Sequence, residues 1–113
     1  MDNPEIDAHG NKSWRSNGKL YRTDGPAVEY ADGSKEWLIN GKHHRTDGPA
    51  CEYASGKEWW LNGKLHRTDG PAVEWPTGDL WYLNGEKYKF DQWLEINPDL
   101  TDSEKVMMKL QYG

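Results

Sequence analysis

The sequence predicts a mainly β protein, an antiparallel meander of stacked β-hairpin repeats forming an elongated twisted sheet with a C-terminal helical cap. Three observations predict it. One phrase occurs three times, as Asn17-Gly-Lys-Leu-Tyr-Arg-Thr-Asp-Gly-Pro-Ala27, Asn40-Gly-Lys-His-His-Arg-Thr-Asp-Gly-Pro-Ala50 and Asn62-Gly-Lys-Leu-His-Arg-Thr-Asp-Gly-Pro-Ala72, and a fourth copy starts at Asn84-Gly85 before departing. The Asn residues lie 23, 22 and 22 positions apart, a period that marks a small unit stacked on copies of itself. Each Asn-Gly pair is flanked by strand-forming residues, the strongest short signal for a two-residue hairpin turn, because both turn residues need φ > 0. The apolar material is also unusual: seven Trp and six Tyr against one Phe, with only 35% hydrophobic residues overall. Large amphipathic aromatics suit a thin sheet better than a thick two-layer core.

The chain of 113 residues is sized for one domain. Residues 1–12 are polar and rich in turn formers, which predicts a loose lead-in. The repeats then run over 13–88. With Asn62-Gly63 as the turn, Leu61 faces Lys64, Trp60 faces Leu65, Trp59 faces His66 and Glu58 faces Arg67. The same register sets Trp37 opposite His44, Glu36 opposite Arg45, Trp14 opposite Tyr21 and Trp81 opposite Tyr88. Strand alternation then separates two faces. One carries the nearly unchanging Trp14, Trp37, Trp59 and Trp81, which we assign to packing between units. The other carries Leu38, Trp60 and Tyr82 with the expected Glu36–Arg45 and Glu58–Arg67 ion pairs. It varies between copies and is the candidate partner-binding face.

Between hairpins runs Thr-Asp-Gly-Pro-Ala. Here Gly is expected to supply an unusual φ and Asp to bond the nearby backbone. Pro26, Pro49 and Pro71 lack an N–H and are expected to open the next strand. The strands Ala27–Tyr30, Ala50–Tyr53 and Ala72–Trp75 follow, each ending in a second turn, which also absorbs the one-residue insertion of the first unit. After Tyr88 the pattern turns helical, and residues 89–113 form the cap. Phe90, Trp93 and Leu94 recur at helical spacing behind Asp91 as a candidate N-cap, and Asn97-Pro98 stops that helix. Thr101-Asp-Ser-Glu104 has the form of a capping box, with Val106, Met107 and Leu110 as the apolar stripe behind it. A cap of this kind covers the edge or face that an open sheet leaves bare.

Asn-Gly-Lys-x-His at this period, with an aromatic three before the Asn and Asp-Gly in the intervening turn, resembles the MORN repeat over about residues 14–88. Arg-Thr-Asp-Gly-Pro-Ala stands where MORN units carry Gly-x-Gly, and the phrase looks more like a divergent MORN-like class of phage, bacterial and large-virus proteins. The resemblance implies a scaffold or association role, sometimes with dimerisation.

Chemistry reads sparsely. Arg22, Arg45 and Arg67 each precede an Asp by two (Asp24, Asp47, Asp69), and because they repeat with the unit they read as structural. His43 and His44 are adjacent in a strand and point to opposite faces, and no Cys/His spacing of a zinc site occurs, so no metal and no cofactor are expected. There is no phosphate loop and no nucleophile elbow, so no catalytic residues and no enzyme are expected. Nucleic acid is disfavoured by the net charge of −5 and the acidic residues on the strands. The alternative kept beside this is a ligand- or single-stranded nucleic-acid-binding module using Trp and Arg on the sheet face. Cys51 is alone and fits a reducing compartment. No stretch has the roughly 18 apolar residues of a membrane span, and the acidic N-terminus has no signal-peptide run. A cytoplasmic protein is expected, in the host cytoplasm if phage-encoded. The expected function is non-enzymatic protein–protein interaction, in one version a small phage-type inhibitor of a host enzyme or defence complex. The candidate contacts are Leu38, Trp60, Tyr82, Glu36, Glu58 and Trp93 of the cap. A homodimer is a further expectation.

Overall fold

A computed structural model describes residues 3–113. Among them, short strands run in chain order as β1 (Glu5–Ile6), β2 (Lys12–Ser13), β3 (Arg15–Ser16), β4 (Lys19–Leu20), β5 (Val28–Glu29), β6 (Lys35–Glu36), β7 (Leu38–Ile39) and β8 (Lys42–His43). They continue as β9 (Cys51–Glu52), β10 (Lys57–Glu58), β11 (Trp60–Leu61), β12 (Lys64–Leu65), β13 (Val73–Trp75), β14 (Gly78–Leu83) and β15 (Glu86–Tyr88). Two helices follow, α1 (Phe90–Ile96) and α2 (Asp102–Tyr112). The principal extents are 48 × 26 × 20 Å and the radius of gyration is 16.0 Å. A compact chain of this length would have a radius of about 13 Å, so the array is elongated.

The hairpin turns form as the Asn-Gly pairs predict. Asn17, Asn40, Asn62 and Asn84 lie at φ 49–53°, and the glycines after them at φ 77–85°. Trp60 pairs with Leu65, Leu61 with Lys64, and Trp81 with Tyr88, in the expected register. The polar lead-in also carries structure, since β1 pairs with β2 and adds a strand to the sheet.

The first three hairpins do not extend past their tryptophans. Trp14, Trp37 and Trp59 are corners. Their carbonyls accept from Tyr21, His44 and His66 across the hairpin at 3.0 Å, while their N–H groups donate to Ala27, Ala50 and Ala72 at 2.7–2.8 Å. Upstream of each corner the chain enters a nine-stranded antiparallel sheet, ordered β1-β2-β5-β6-β9-β10-β13-β14-β15. Downstream, β3-β4, β7-β8 and β11-β12 stand apart as two-stranded hairpins. One backbone bond links each turn to the hairpin before it: Gly41 to Leu20, Gly63 to His43 and Gly85 to Leu65, at 2.8–2.9 Å.

This split overturns the expected Glu36–Arg45 and Glu58–Arg67 pairs. Glu36 and Glu58 lie opposite Cys51 in the large sheet, whereas the Arg45 and Arg67 N–H groups donate to Trp60 and Tyr82 of the next unit. The registers sort the sheet into two rows of directly opposed residues. Ser13, Val28, Glu36, Cys51, Glu58, Val73 and Leu80 share one face, and Lys12, Glu29, Lys35, Glu52, Lys57, Glu74 and Asp79 share the other. The second row alternates in sign from Lys12 to Glu74, and opposite charges facing each other contribute about 0.2–1 kcal/mol each.

The invariant phrase builds one clamp per unit. The guanidinium of Arg22, Arg45 or Arg67 lies 3.7–3.8 Å over the ring of Trp14, Trp37 or Trp59. Its Nε donates to Asp24, Asp47 or Asp69 at 2.8–2.9 Å, and its Nη1 to the carbonyl of Pro26, Pro49 or Pro71 at 3.0–3.2 Å. Nη1 also faces Glu29, Glu52 or Glu74 at 3.5, 3.1 and 3.2 Å. The phrase's glycines therefore serve a different purpose from the expected one. Gly25, Gly48 and Gly70 are absent from the positive-φ residues; a Cβ on them would lie 3.0, 3.0 and 2.6 Å from the guanidinium carbon. The Asp side chains bond the arginine in place of the expected backbone, and the strands begin two residues after each proline.

The fourth unit has no such arginine. Trp81 is covered by the cap, with Phe90, Trp93 and Tyr112 ring centroids at 4.7, 4.6 and 4.9 Å. Lys89, in place of the expected Asp91, is the N-cap residue of α1, and Thr101 caps α2 through the capping box that the sequence predicts. Trp81, Leu83, Trp93, Leu94 and Met108 form the main apolar cluster, and Ala27, Val28 and Leu38 a second one.

Candidate functional site

The predicted contact residues separate. Leu38, on β7 of the second hairpin, is buried against Ala27 and Val28 of the first unit, with Leu20 and Tyr30 packed beside them. Trp93, on the inner side of α1, is fully buried and donates its indole N–H to the Arg67 carbonyl at 3.2 Å. Both are corrected from contact residues to core. Trp60 and Tyr82 remain half-buried. Glu58 is likewise half-buried and accepts from the indoles of Trp60 and Trp75 at 3.1 and 3.0 Å. The structural set (Trp14, Trp37, Trp59, Trp81 and the Arg–Asp pairs) sits in the clamps and under the cap as described above.

Three surface features remain. Shallow open grooves run between neighbouring clamps, one of them lined by Arg22, Asp24, Trp37, His44, Arg45 and Asp47. Their charges are already matched. The Arg22 and Arg45 hydrogen bonds hold the Asp24 and Asp47 carboxyls below the usual range. One face of each clamp tryptophan is occupied by a guanidinium. His44 and His66 serve the stacking of units. Each Nδ1 accepts from the backbone N–H of the next turn's asparagine, Asn62 at 3.0 Å and Asn84 at 2.9 Å. That acceptor role places the ring proton of neutral histidine on Nε2.

The second feature is on α2, where the sequence reading has the orientation reversed. Met108 and Tyr112 face the core, while Val106, Met107 and Leu110 are 57, 65 and 78% exposed. The stripe is legible in the sequence but its direction is not, since a short helix with apolar residues on two sides can dock by either. Ile6 and Ile96 complete the exposed large hydrophobic residues among those described. Three of the five thus lie on one face of one helix.

The third feature is a polar cluster in the second unit. His43 Nε2 lies 3.3 Å from Glu36 Oε1, and the Tyr53 hydroxyl donates to Glu36 Oε2 at 2.9 Å. Cys51 is buried beside them, and the His43 and Trp60 ring centroids are 5.3 Å apart. The Cys51 sulfur and the Glu36 carboxylate raise His43 to about 10. The His43 hydrogen bond in turn lowers Glu36, and desolvation raises Tyr53. The signal that finds this cluster is a comparison of columns between units. Leu20, His43 and Leu65 are equivalent positions, as are Val28, Cys51 and Val73, so only the second unit replaces both apolar residues.

Comparison of the chain with protein-family models, curated proteins and solved structures finds no match. No helix among the described residues is long and apolar enough to cross a membrane.

Proposed function

We propose that this chain is a non-enzymatic protein–protein interaction module that meets its partner through the exposed face of α2, with the repeat sheet as its rigid frame. The observation that carries the reading is the contiguous stripe of Val106, Met107 and Leu110, left bare by a helix whose other side packs on the core through Met108 and Tyr112. Isolated exposed apolar residues are ordinary on a protein surface, whereas a grouped patch marks an interaction site. An amphipathic helix offered this way fits an apolar groove on its partner. The net charge of −5 favours a partner with a basic or mixed-charge rim. The grooves beside the clamps support the reading from the other direction. They are open, and their arginines and rings are already engaged, so they offer neither an enclosed substrate pocket nor a free stacking platform for bases. The MORN-like resemblance of the repeats adds the scaffold role, and its phage-protein version would make the module an inhibitor of a host enzyme or defence complex. Intracellular action belongs to that same reading.

The test uses the triple variant Val106→Ser/Met107→Ser/Leu110→Ser. These side chains are exposed, so its melting temperature is expected to stay within a few degrees of the parent. Tagged parent protein should retain a stoichiometric partner from lysate of the cell that makes it, and the variant should lose at least about tenfold in affinity, roughly 1.4 kcal/mol. Equal retention by both proteins would remove α2 from the interface. Sedimentation at two concentrations separates the self-association arm, in which only the parent dimerises.

A further inference from the structure

We propose that Glu36, His43 and Cys51 form a binding site for a zinc-class divalent cation, with the Cys51 thiolate, a ring nitrogen of His43 and a Glu36 carboxylate oxygen as ligands. The inference is independent of the α2 interface. It rests on convergence. One ligand atom from each residue lies within 4.8 Å of the other two, although the residues come from three separate strands, β6, β8 and β9. No short sequence motif announces such a site, which is why the sequence predicts none.

The geometry is close to that of a coordinated ion. Tetrahedral zinc with bonds of about 2.0–2.3 Å holds its ligand atoms about 3.3–3.6 Å apart. The 3.3 Å between His43 Nε2 and Glu36 Oε1 has that spacing, and it is longer than the roughly 2.7–2.9 Å of a close charge-assisted hydrogen bond. The Cys51 sulfur lies within 4.8 Å of both atoms, so a shift of about 1 Å would bring it to bonding distance of a shared ion. The ligand set, one sulfur, one nitrogen and one oxygen, suits a borderline-soft ion such as zinc better than magnesium or calcium. On binding, the ring-nitrogen proton and the thiol proton are released to solvent.

The surroundings supply the support that a metal site needs. The Tyr53 hydroxyl donates to Glu36 Oε2, which leaves Oε1 facing His43 Nε2. The side chain of His43 is 31% exposed, so an ion has a way in, while Cys51 closes the inner side. Three protein ligands leave a fourth position for water. The equivalent columns of the first and third units hold Leu20 with Val28, and Leu65 with Val73, so packing alone is satisfied by aliphatic residues at these places.

That equivalence also supplies variants that fit the fold, Cys51→Val and His43→Leu. The reduced protein is titrated with Zn²⁺ against a chromophoric chelator, and separately with Co²⁺. The parent is expected to bind one Zn²⁺ per chain and to show, with Co²⁺, a thiolate charge-transfer band together with visible bands of tetrahedral intensity. Cys51→Val should abolish the charge-transfer band, and each variant should weaken Zn²⁺ binding at least about tenfold. Tyr53→Phe should weaken it by about 10-fold or more while keeping the band. Absence of saturable one-to-one binding by the parent overturns the site without recourse to any variant. Undiminished binding by the Cys51→Val/His43→Leu double variant overturns it as well, since the ion would then sit on surface histidines.

Discussion

Trp93→Ala is expected to cost about 3–5 kcal/mol and to release the C-terminal helices from the sheet. Its side chain is fully buried, its ring lies 4.6 Å from Trp81, and its indole N–H donates to the Arg67 carbonyl. Removing it opens a large cavity in the main apolar cluster and leaves that carbonyl without its donor, two costs that add. Trp81 would lose one of the three rings that cover it, and no arginine stacks on it as in the other units. Urea denaturation followed by near-UV circular dichroism measures the effect. Trp93→Phe keeps most of the packing and loses the N–H, so it should fall between the alanine variant and the parent. A loss below about 1 kcal/mol for the alanine variant would show that the cap docks without this residue.

The second large effect belongs to the clamps. Arg45→Ala is expected to destabilise by about 2–4 kcal/mol, because one guanidinium stacks on Trp37 and bonds Asp47, Glu52 and the Pro49 carbonyl at once. Asp47 is largely exposed and recovers water, whereas the side chain of Arg45 is only 20% exposed, so most of the loss is packing and the half-buried Glu52 contact. Arg45→Lys should recover less than half, since an ammonium cannot lie flat on the indole and reach three acceptors. Arg22→Ala should cost less than Arg45→Ala, because the Glu29 contact of Arg22 is longer, 3.5 against 3.1 Å. The same clamp is reached from the other side. Gly70→Ala places a Cβ 2.6 Å from the Arg67 guanidinium carbon and should displace it from Trp59, at about 1–3 kcal/mol. Chemical denaturation of the four variants gives the order. An Arg45→Lys protein as stable as the parent would reduce the clamp to a simple charge.

Much of this fold is legible in the sequence because hairpin turns are local. Asn at φ near 50° followed by Gly at φ near 80° is a conformation few other pairs adopt, and the residues flanking the turn pair in the only register it allows. What alternation cannot show is where a strand changes partner. Trp59 satisfies its carbonyl within the hairpin and its N–H outside it, and every side-chain assignment upstream of that corner follows from the change. Glu58 then faces Cys51 and Val73 in place of Arg67. The candidate site is less legible still. Leu38 and Trp93 are apolar residues for which exposure and burial look alike in sequence, and the α2 stripe has two sides that could pack. The second-unit cluster joins three strands through contacts between residues 36, 43 and 51, and only the break in the repeat columns hints at it.

The histidine links between units give the array a direction. His44 and His66 tie the second unit to the third and the third to the fourth through the Asn62 and Asn84 N–H groups, but the corresponding position of the first unit is Tyr21, for which no such bond occurs among the described residues. At the far end, Trp93 and Asn97 bond the Arg67 and Thr68 carbonyls and so bind the cap back onto the third unit. The molecule is therefore fastened tail-first. Fraying should begin at the N-terminal hairpin and travel toward the helices, as in a one-dimensional lattice with one weak bond. Native-state hydrogen exchange would display it as amide protection rising from Tyr21 through His44 to His66, and uniform protection along the three hairpins would contradict it.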